Sequence, residues 1–176
     1  MERKKNIHGG GSNTNKNGLS FEEKTNLLEV LKDEKNIEIK NENEIYVDNE
    51  LFGFYYEKYK FYKDFLEKKL NINWKERVGR QMLPDAVFVN IKTKTVYIFE
   101  KKYQERSGSV DQKIETCGFK KKQYNKLLKN TDYLVQYGYL LNDWYCNKIY
   151  DDVKEHIIEE GCFFYINEIP KKEIGL

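Results

Sequence analysis

The chain has 176 residues, 34% of them charged, and a formal net charge of +2. A chain of this length can bury one hydrophobic core without disulfide or metal staples. The near balance of charge excludes a uniformly basic protein, so any basic surface must be local.

Cysteine and histidine usage argues against a zinc site and against catalysis based on histidine. Cys117, Cys146 and Cys162 are odd in number and lack metal-ligand spacing, and His8 and His156 are isolated. We therefore expect reduced thiols. The sequence has neither a long apolar run nor a signal-like N-terminus, so we expect a soluble cytoplasmic protein with no membrane partner.

The N-terminal segment, residues 1–18, is polar and includes the glycines 9–11. It is interpreted as a flexible tail or as a loop whose small residues let the backbone approach a ligand closely. Residues 19–176 form the predicted domain. Ser20 is a candidate N-cap with Glu23 as its capping-box partner, and the apolar spacing predicts a helix that continues to about Lys32.

The next elements alternate between strands and helices. Strands are predicted at 37–39, 45–47 and 51–56, and residues 48–50 form the turn between the last two. A helix is predicted over 56–70, and its regularly spaced apolar side chains are expected in the core: Tyr59, Tyr62, Phe65, Leu66 and Leu70.

Residues 83–104 contain two short runs rich in β-branched and aromatic side chains, 86–89 and 96–99, joined by the polar segment 90–95. This pattern predicts a β-hairpin that is apolar on both faces and therefore covered on both. In the predicted register Asp85 faces Glu100. The side-chain period of two places Lys102 and Gln104 on the same face as Glu100.

After the hairpin and a Gly/Ser turn at 105–109, a helix is predicted over 110–128, with Ile114, Cys117, Tyr124 and Leu128 as its buried stripe. A strand at 133–141, a helix at 149–159 and a strand at 162–166 complete the chain. The order of elements predicts a single α/β domain with a central mixed β-sheet flanked by helices.

The end of the predicted hairpin carries two carboxylates and an amine. Carboxylates a few ångströms apart repel each other unless a proton or a cation intervenes, and their oxygens suit Mg²⁺. Glu-x-Lys alone carries no information here, because it recurs at 2–4, 22–24, 38–40 and 67–69. The position of Glu100 and Lys102 at the end of an apolar strand, opposite Pro84 and Asp85, favours a functional cluster over a solvated strand end.

The segment begins with Pro84-Asp85, continues through a strand, a turn and a second strand, and ends with Glu100-Lys101-Lys102. This pattern resembles that of the PD-(D/E)xK nucleases, the superfamily of most type II restriction endonucleases. The segments GSVDQKIETCGFKKKQY, YLLNDW and NEIP are also similar to small enzymes of this superfamily. The resemblance implies a restriction-endonuclease-like fold and hydrolysis of phosphodiesters in duplex DNA. It also implies Mg²⁺ dependence, with Mn²⁺ as a substitute, and a homodimer that acts beside a cognate DNA methyltransferase.

The resemblance also implies roles for single residues. Asp85, Glu100 and the Lys101 carbonyl would hold the metal, and Lys102 would position or activate the attacking water. Strand alternation, rather than the resemblance, makes Gln104 a candidate for orienting the substrate or a metal-bound water. Glu22, in the first helix, is a further candidate for approaching the metal site, although a surface acid is the simpler interpretation.

Two basic segments are candidate DNA contacts. Arg77 and Arg80 precede the hairpin, and the second group lies on the outer side of the helix that follows it: Gln112, Lys113, Lys120, Lys122 and Gln123. Simple solvation of these side chains is the alternative. For the chain as a whole, a repair or junction-resolving nuclease and a non-catalytic DNA-binding module remain the alternative functions.

Overall fold

A seven-stranded mixed β-sheet organises the computed structural model, which describes residues 10–105 and 111–176. Strand order in the sheet follows the order in the chain, and the strands from β1 to β5 pair antiparallel, whereas β5, β6 and β7 run parallel. The strands are β1 (Ile37–Lys40), β2 (Glu44–Val47), β3 (Glu50–Tyr56), β4 (Ala86–Asn90), β5 (Thr95–Lys102), β6 (Leu134–Leu141) and β7 (Phe163–Ile166).

The change from antiparallel to parallel pairing follows from the connections. Tight turns join β1 to β2 and β2 to β3, and positive φ angles at Asp48 and Asn49 form the second of these turns. Parallel strands need a longer crossover. Helices α4 (Asp111–Ile114) and α5 (Cys117–Leu127) lie between β5 and β6, and α6 (Asp151–Glu159) lies between β6 and β7. The prediction of a mixed sheet flanked by helices is confirmed.

Two hydrophobic cores cover the two faces of the sheet, as the doubly apolar hairpin predicted. On one face, Val87 and Ile98 belong to a cluster with residues of α5, α6 and the helix after β3. On the other, Phe88 and Phe99 belong to a cluster with side chains of the two N-terminal helices. Burial on both faces makes the hairpin a rigid support for the residues at its end.

The N-terminal helical region differs from the prediction. The helix predicted from Ser20 to Lys32 is two helices, α1 (Gly10–Lys24) and α2 (Leu27–Lys32), and Ser20 lies inside α1. The N-cap of α2 is Asn26, whose Oδ1 accepts a 3.0 Å hydrogen bond from the Leu28 N–H. Residues 10–18, expected as a tail or loop, are helical, and residues 1–9 lie outside the described part. The periodicity of apolar residues did not predict the start of α1 at Gly10, because no apolar stripe precedes Leu19.

The helix predicted over 56–70 begins as α3 (Lys58–Lys60) and continues as a π-helical stretch, Phe61–Lys69. Tyr62, Phe65 and Leu66 are buried as predicted, and Leu70 is partly buried against them. The expectation for Tyr59 is wrong: its side chain is 54% exposed, and Phe61 is buried instead. The wider π-helical turn shifts the buried stripe relative to ordinary helical spacing.

The helix predicted over 110–128 is interrupted, because Glu115 and Thr116 separate α4 from α5. Its predicted buried stripe of Ile114, Cys117, Tyr124 and Leu128 is confirmed. Of the turn predicted at 105–109, residues 106–109 lie outside the described residues. Across the described ranges, no helix combines the length and the apolar character needed to cross a membrane.

Candidate active site

The hairpin has the register expected from its sequence. Ala86 pairs with Phe99 and Val89 with Val96, so continuation of the ladder sets Asp85 opposite Glu100. Asp85 lies just before β4, where its Oδ2 accepts a 2.8 Å hydrogen bond from the Lys101 N–H. The two acids are therefore held at the same end of the hairpin by the main chain itself.

Three oxygen atoms surround the Lys102 ammonium group. Its Nζ lies 3.0 Å from Glu100 Oε2 and 3.8 Å from Asp85 Oδ2, and it donates a 3.1 Å hydrogen bond to the Lys101 carbonyl. The side chains of Glu100 and Lys102 are only 12% and 15% exposed, whereas that of Asp85 is 28% exposed. The predicted cluster of Asp85, Glu100 and Lys102 is thus assembled at the rim of the core.

A second lysine reaches the same cluster from α5. Lys120 Nζ lies 2.7 Å from Glu100 Oε2, and its side chain is 20% exposed. Lys120 was expected on the outer side of the helix, as a DNA contact. A signal for the inward position was available, because Lys120 is three residues after Cys117 and four before Tyr124, both buried.

The two ammonium groups control the protonation of Glu100. Burial by itself raises the pKa of this carboxyl. The charges of Lys102 and Lys120, together with their hydrogen bonds, outweigh burial and hold the pKa of Glu100 below its ordinary value. Glu100 is therefore an anion at neutral pH, available as an oxygen ligand.

Lys101 lies on the opposite face of β5, as strand alternation predicts. Its Nζ donates a 2.8 Å hydrogen bond to the main-chain carbonyl of Glu22 in α1. Burial lowers the pKa of Lys101, and the nearby charges of Glu57, Glu22 and Asp85 counteract part of that effect. Glu22 thus approaches the back of the strand through its carbonyl, and its side chain is exposed.

Glu57 is an acid that the sequence analysis missed. It follows β3 directly, and its Oε1 accepts hydrogen bonds from the Tyr55 hydroxyl at 2.8 Å and from Asn26 Nδ2 at 3.3 Å. The next residue, Lys58, donates its N–H to the Pro84 carbonyl at 2.8 Å. The pairing of β3 with β4 was the available signal, since it brings the end of β3 to the start of β4.

Gln104 lies beyond the end of β5 and is only 5% exposed. Its N–H donates to Asn142 Oδ1 at 3.0 Å, and its carbonyl accepts from Asn142 Nδ2 at 2.9 Å. Asn142 follows β6, so this pair of bonds holds the ends of two parallel strands together. Because the strand ends at Lys102, regular alternation does not extend to the Gln104 side chain.

Among the predicted DNA contacts, Arg77 has protein partners. Its Nη1 donates to the Leu127 carbonyl at 2.6 Å and to the Lys129 carbonyl at 2.8 Å, at the C-terminal end of α5. A guanidinium there complements the helix dipole. This end lies roughly 10 Å along the helix from Lys120, at 1.5 Å per residue. Gln123 is half-buried. The remaining candidates are exposed: Arg80, Gln112, Lys113 and Lys122.

The site can supply oxygen ligands for a divalent cation. In the part of the chain that the structure describes, no three His, Cys, Asp or Glu side chains form a metal-binding group. The available donors are the carboxylates of Asp85 and Glu100 and the Lys101 carbonyl. All three already contact one cationic group, the Lys102 ammonium. This donor set fits Mg²⁺, which prefers oxygen and keeps several of its waters.

Comparisons of the chain with protein-family models, with curated proteins and with solved structures give no match. Function is therefore inferred from the chemistry of the site. Two acids and two lysines, largely withdrawn from solvent at the end of a rigid hairpin, are suited to holding a cation and a phosphate-like anion together.

Proposed function

We propose that the protein is a Mg²⁺-dependent endonuclease that hydrolyses phosphodiester bonds in both strands of duplex DNA, as type II restriction endonucleases do. One observation carries the proposal: Asp85, Glu100 and the Lys101 carbonyl converge on the Lys102 ammonium. The resemblance of these same residues to the PD-(D/E)xK pattern supports it.

In this proposal, Asp85, Glu100 and the Lys101 carbonyl hold the cation. Bound Mg²⁺ supplies a Lewis acid at the phosphate and a more acidic water. Asp85 is preorganised for binding, because the Lys101 N–H fixes its carboxylate, and the lysines keep Glu100 ionised. Preorganised ligands lose little freedom on binding.

Lys102 is the group that acts on the water and the phosphate. Its ammonium is largely withdrawn from solvent and points toward both carboxylates. From there it can donate hydrogen bonds to an attacking water and to a phosphate oxygen, and so stabilise the negative charge that develops during attack. Lys101 contributes its carbonyl and its N–H, since its ammonium is directed to α1 on the other face.

The proposed assembly is a homodimer on duplex DNA. Residues 10–105 and 111–176 carry one cluster of the type formed by Asp85, Glu100 and Lys102, which provides one hydrolytic centre. Two centres related by a two-fold axis would cut both strands of a symmetric site. A cognate methyltransferase protecting the same site, and action in the cytoplasm, belong to this proposal. Sedimentation that finds a monomer both free and on cleavable DNA would argue against the dimer.

The decisive experiment is digestion of a defined plasmid by the purified chain with Mg²⁺, followed by mapping of the ends. Discrete fragments with constant ends are expected, and EDTA should abolish them. The Glu100→Gln variant, purified in parallel, controls for a contaminating nuclease. Selective nicking of branched or mismatched DNA would instead identify a repair or junction-resolving enzyme, and DNA binding without cleavage would identify a non-catalytic module.

A further inference from the structure

Glu100 carries two ammonium groups on a single oxygen. Lys120 Nζ lies 2.7 Å and Lys102 Nζ 3.0 Å from Oε2. The lysines come from different elements, Lys102 from β5 and Lys120 from α5. Lys102 also approaches Asp85 and the Lys101 carbonyl, whereas Lys120 reaches Glu100 from the helix, beside the Tyr139 ring at 5.9 Å.

The formal charges of this cluster cancel. Asp85 and Glu100 contribute two negative charges, and Lys102 and Lys120 contribute two positive charges. A divalent cation that enters such a cluster gains from both carboxylates but is repelled by both ammonium groups. It also competes with the two ammonium groups for the same Glu100 oxygen. Each lysine at Glu100 therefore weakens the binding of the cation.

We propose that Lys120 is a competing counter-ion that holds Glu100 in the metal-free protein and has to leave Oε2 before both Glu100 oxygens are available to the cation. This inference rests on the proposed function, because it assumes a divalent cation at Asp85 and Glu100. Lys120 is the lysine that yields, since its ion pair is with Glu100, whereas Lys102 is also held by the Lys101 carbonyl. Lys120 is thus a positioning residue that lowers metal affinity and keeps the metal-free site neutral.

Metal binding to the full chain without DNA tests this role directly. Titration calorimetry with Mn²⁺ should give a dissociation constant at least about threefold lower for Lys120→Met than for wild type, because one repelling charge is removed. Lys120→Gln, which keeps a hydrogen-bond donor but no charge, should show the same change. Lys126→Met removes an exposed charge from the same helix and should bind Mn²⁺ as wild type does.

Thermal unfolding provides a second readout, independent of cleavage. Metal-free Lys120→Met should melt at a lower temperature than wild type, because the largely buried Glu100 loses a counter-ion. Saturating Mn²⁺ should then raise the melting temperature more in the variant than in wild type, as tighter binding requires. A structural role alone would lower the melting temperature without this larger response.

Two negative outcomes are distinguishable. If wild type binds Mn²⁺ and both Lys120 variants bind it equally well or more weakly, the counter-ion role is wrong while the proposed function stands. If wild type binds neither Mn²⁺ nor Mg²⁺, the proposed function fails, and this inference fails with it.

Discussion

The main-chain N–H of Lys101 donates a 2.8 Å hydrogen bond to the Asp85 carboxylate. This bond lies one position beyond the last ladder pair, Ala86 with Phe99, and closes the end of the hairpin. It fixes the carboxylate of Asp85 against the strand that carries Glu100. The relative position of the two acids is therefore set by the pairing of β4 with β5 and by this bond from the main chain to the Asp85 side chain.

Removal of charge at either acid should abolish cleavage without unfolding the protein. Asp85→Asn keeps an oxygen acceptor for the Lys101 N–H but loses the charge that attracts a cation. We expect single-turnover cleavage with Mg²⁺ to fall by at least about 100-fold, a loss consistent with several kcal/mol of metal-dependent stabilisation. The melting temperature should change little.

Glu100→Gln should be equally inactive, and it should melt at a lower temperature than wild type, because Lys102 and Lys120 lose their shared counter-ion. The matched control is Asp132→Asn, since the Asp132 carboxylate pairs with Lys94 at 3.3 Å on the exposed surface. This control should cleave as wild type does. Near wild-type cleavage by Asp85→Asn, or inactivity explained by loss of the circular-dichroism spectrum, would contradict the assignment of the two acids.

The two adjacent lysines should behave differently. Lys102→Met should slow the chemical step by about 100-fold, because it removes a charge-stabilising donor beside both acids. Lys101→Met loses a hydrogen bond to the Glu22 carbonyl on the opposite face, which should cost about 1 kcal/mol of unfolding free energy. Its single-turnover rate should stay close to that of wild type.

Single-turnover rates at saturating Mg²⁺, measured beside urea unfolding, separate the two effects. Equal losses of rate in Lys101→Met and Lys102→Met would contradict the proposed mechanism. That mechanism requires the Lys102 side chain to face the two acids and the Lys101 side chain to lie on the opposite face of the strand. A slow Lys102→Met enzyme with unchanged unfolding would support a role for its ammonium in the reaction.

The hairpin and its two acids were predictable from sequence because alternation and apolar pattern determine register. A shift of one residue would move every side chain to the other face. The same reasoning placed Lys102 beside Glu100 and Lys101 away from it, as the structure has them. Local pattern was sufficient here because both partners of each contact lie on one hairpin.

Contacts between distant elements were not predictable in the same way. Whether Lys120 faces the sheet or solvent depends on how α5 is rotated, and its charge suggested solvent. Arg77 likewise was expected on DNA, but its guanidinium binds carbonyls at the end of α5. The sequence does not show the packing of Arg77, and for Lys120 only its spacing from the buried Cys117 and Tyr124 indicated the inward position. The reason is that the place of a charged side chain in a partly buried position depends on its partner and not on its own hydropathy.

The cysteines should differ strongly in reactivity. Cys146 is exposed, whereas Cys117 and Cys162 are buried. Burial raises the pKa of the Cys117 thiol, and burial together with the neighbouring Cys117 raises the pKa of Cys162 to about 12. A raised pKa means less thiolate, the reactive form, at any given pH below it.

Iodoacetamide should therefore label native protein at Cys146 first, and raising the pH from 7 to 9 should leave Cys117 and Cys162 largely unlabelled. Peptide mass spectrometry measures the three sites separately, and labelling in urea provides the reference for full exposure. Labelling of Cys162 at the rate of Cys146 in folded protein would contradict the buried environment assigned to it.

The last prediction concerns the proposed DNA-binding surface on the exposed sides of α4 and α5. Lys113 and Lys122 are both exposed, so replacing both with Gln should not disturb the core. Each phosphate contact contributes about 0.9 to the slope of log affinity against log salt, so the double variant should flatten this slope by roughly one to two units. Cleavage positions should not change, because phosphate contacts carry no sequence information.

Arg77→Met is the informative comparison for that experiment. Its guanidinium is bound to the Leu127 and Lys129 carbonyls, so its loss should lower the melting temperature and leave the salt slope unchanged. Fluorescence anisotropy with duplex DNA, in Ca²⁺ to prevent cleavage, measures the slope for all three proteins. A flatter slope for Arg77→Met, with an unchanged slope for the Lys113 and Lys122 double variant, would contradict this assignment. It would indicate that DNA binds at the C-terminal end of α5 instead.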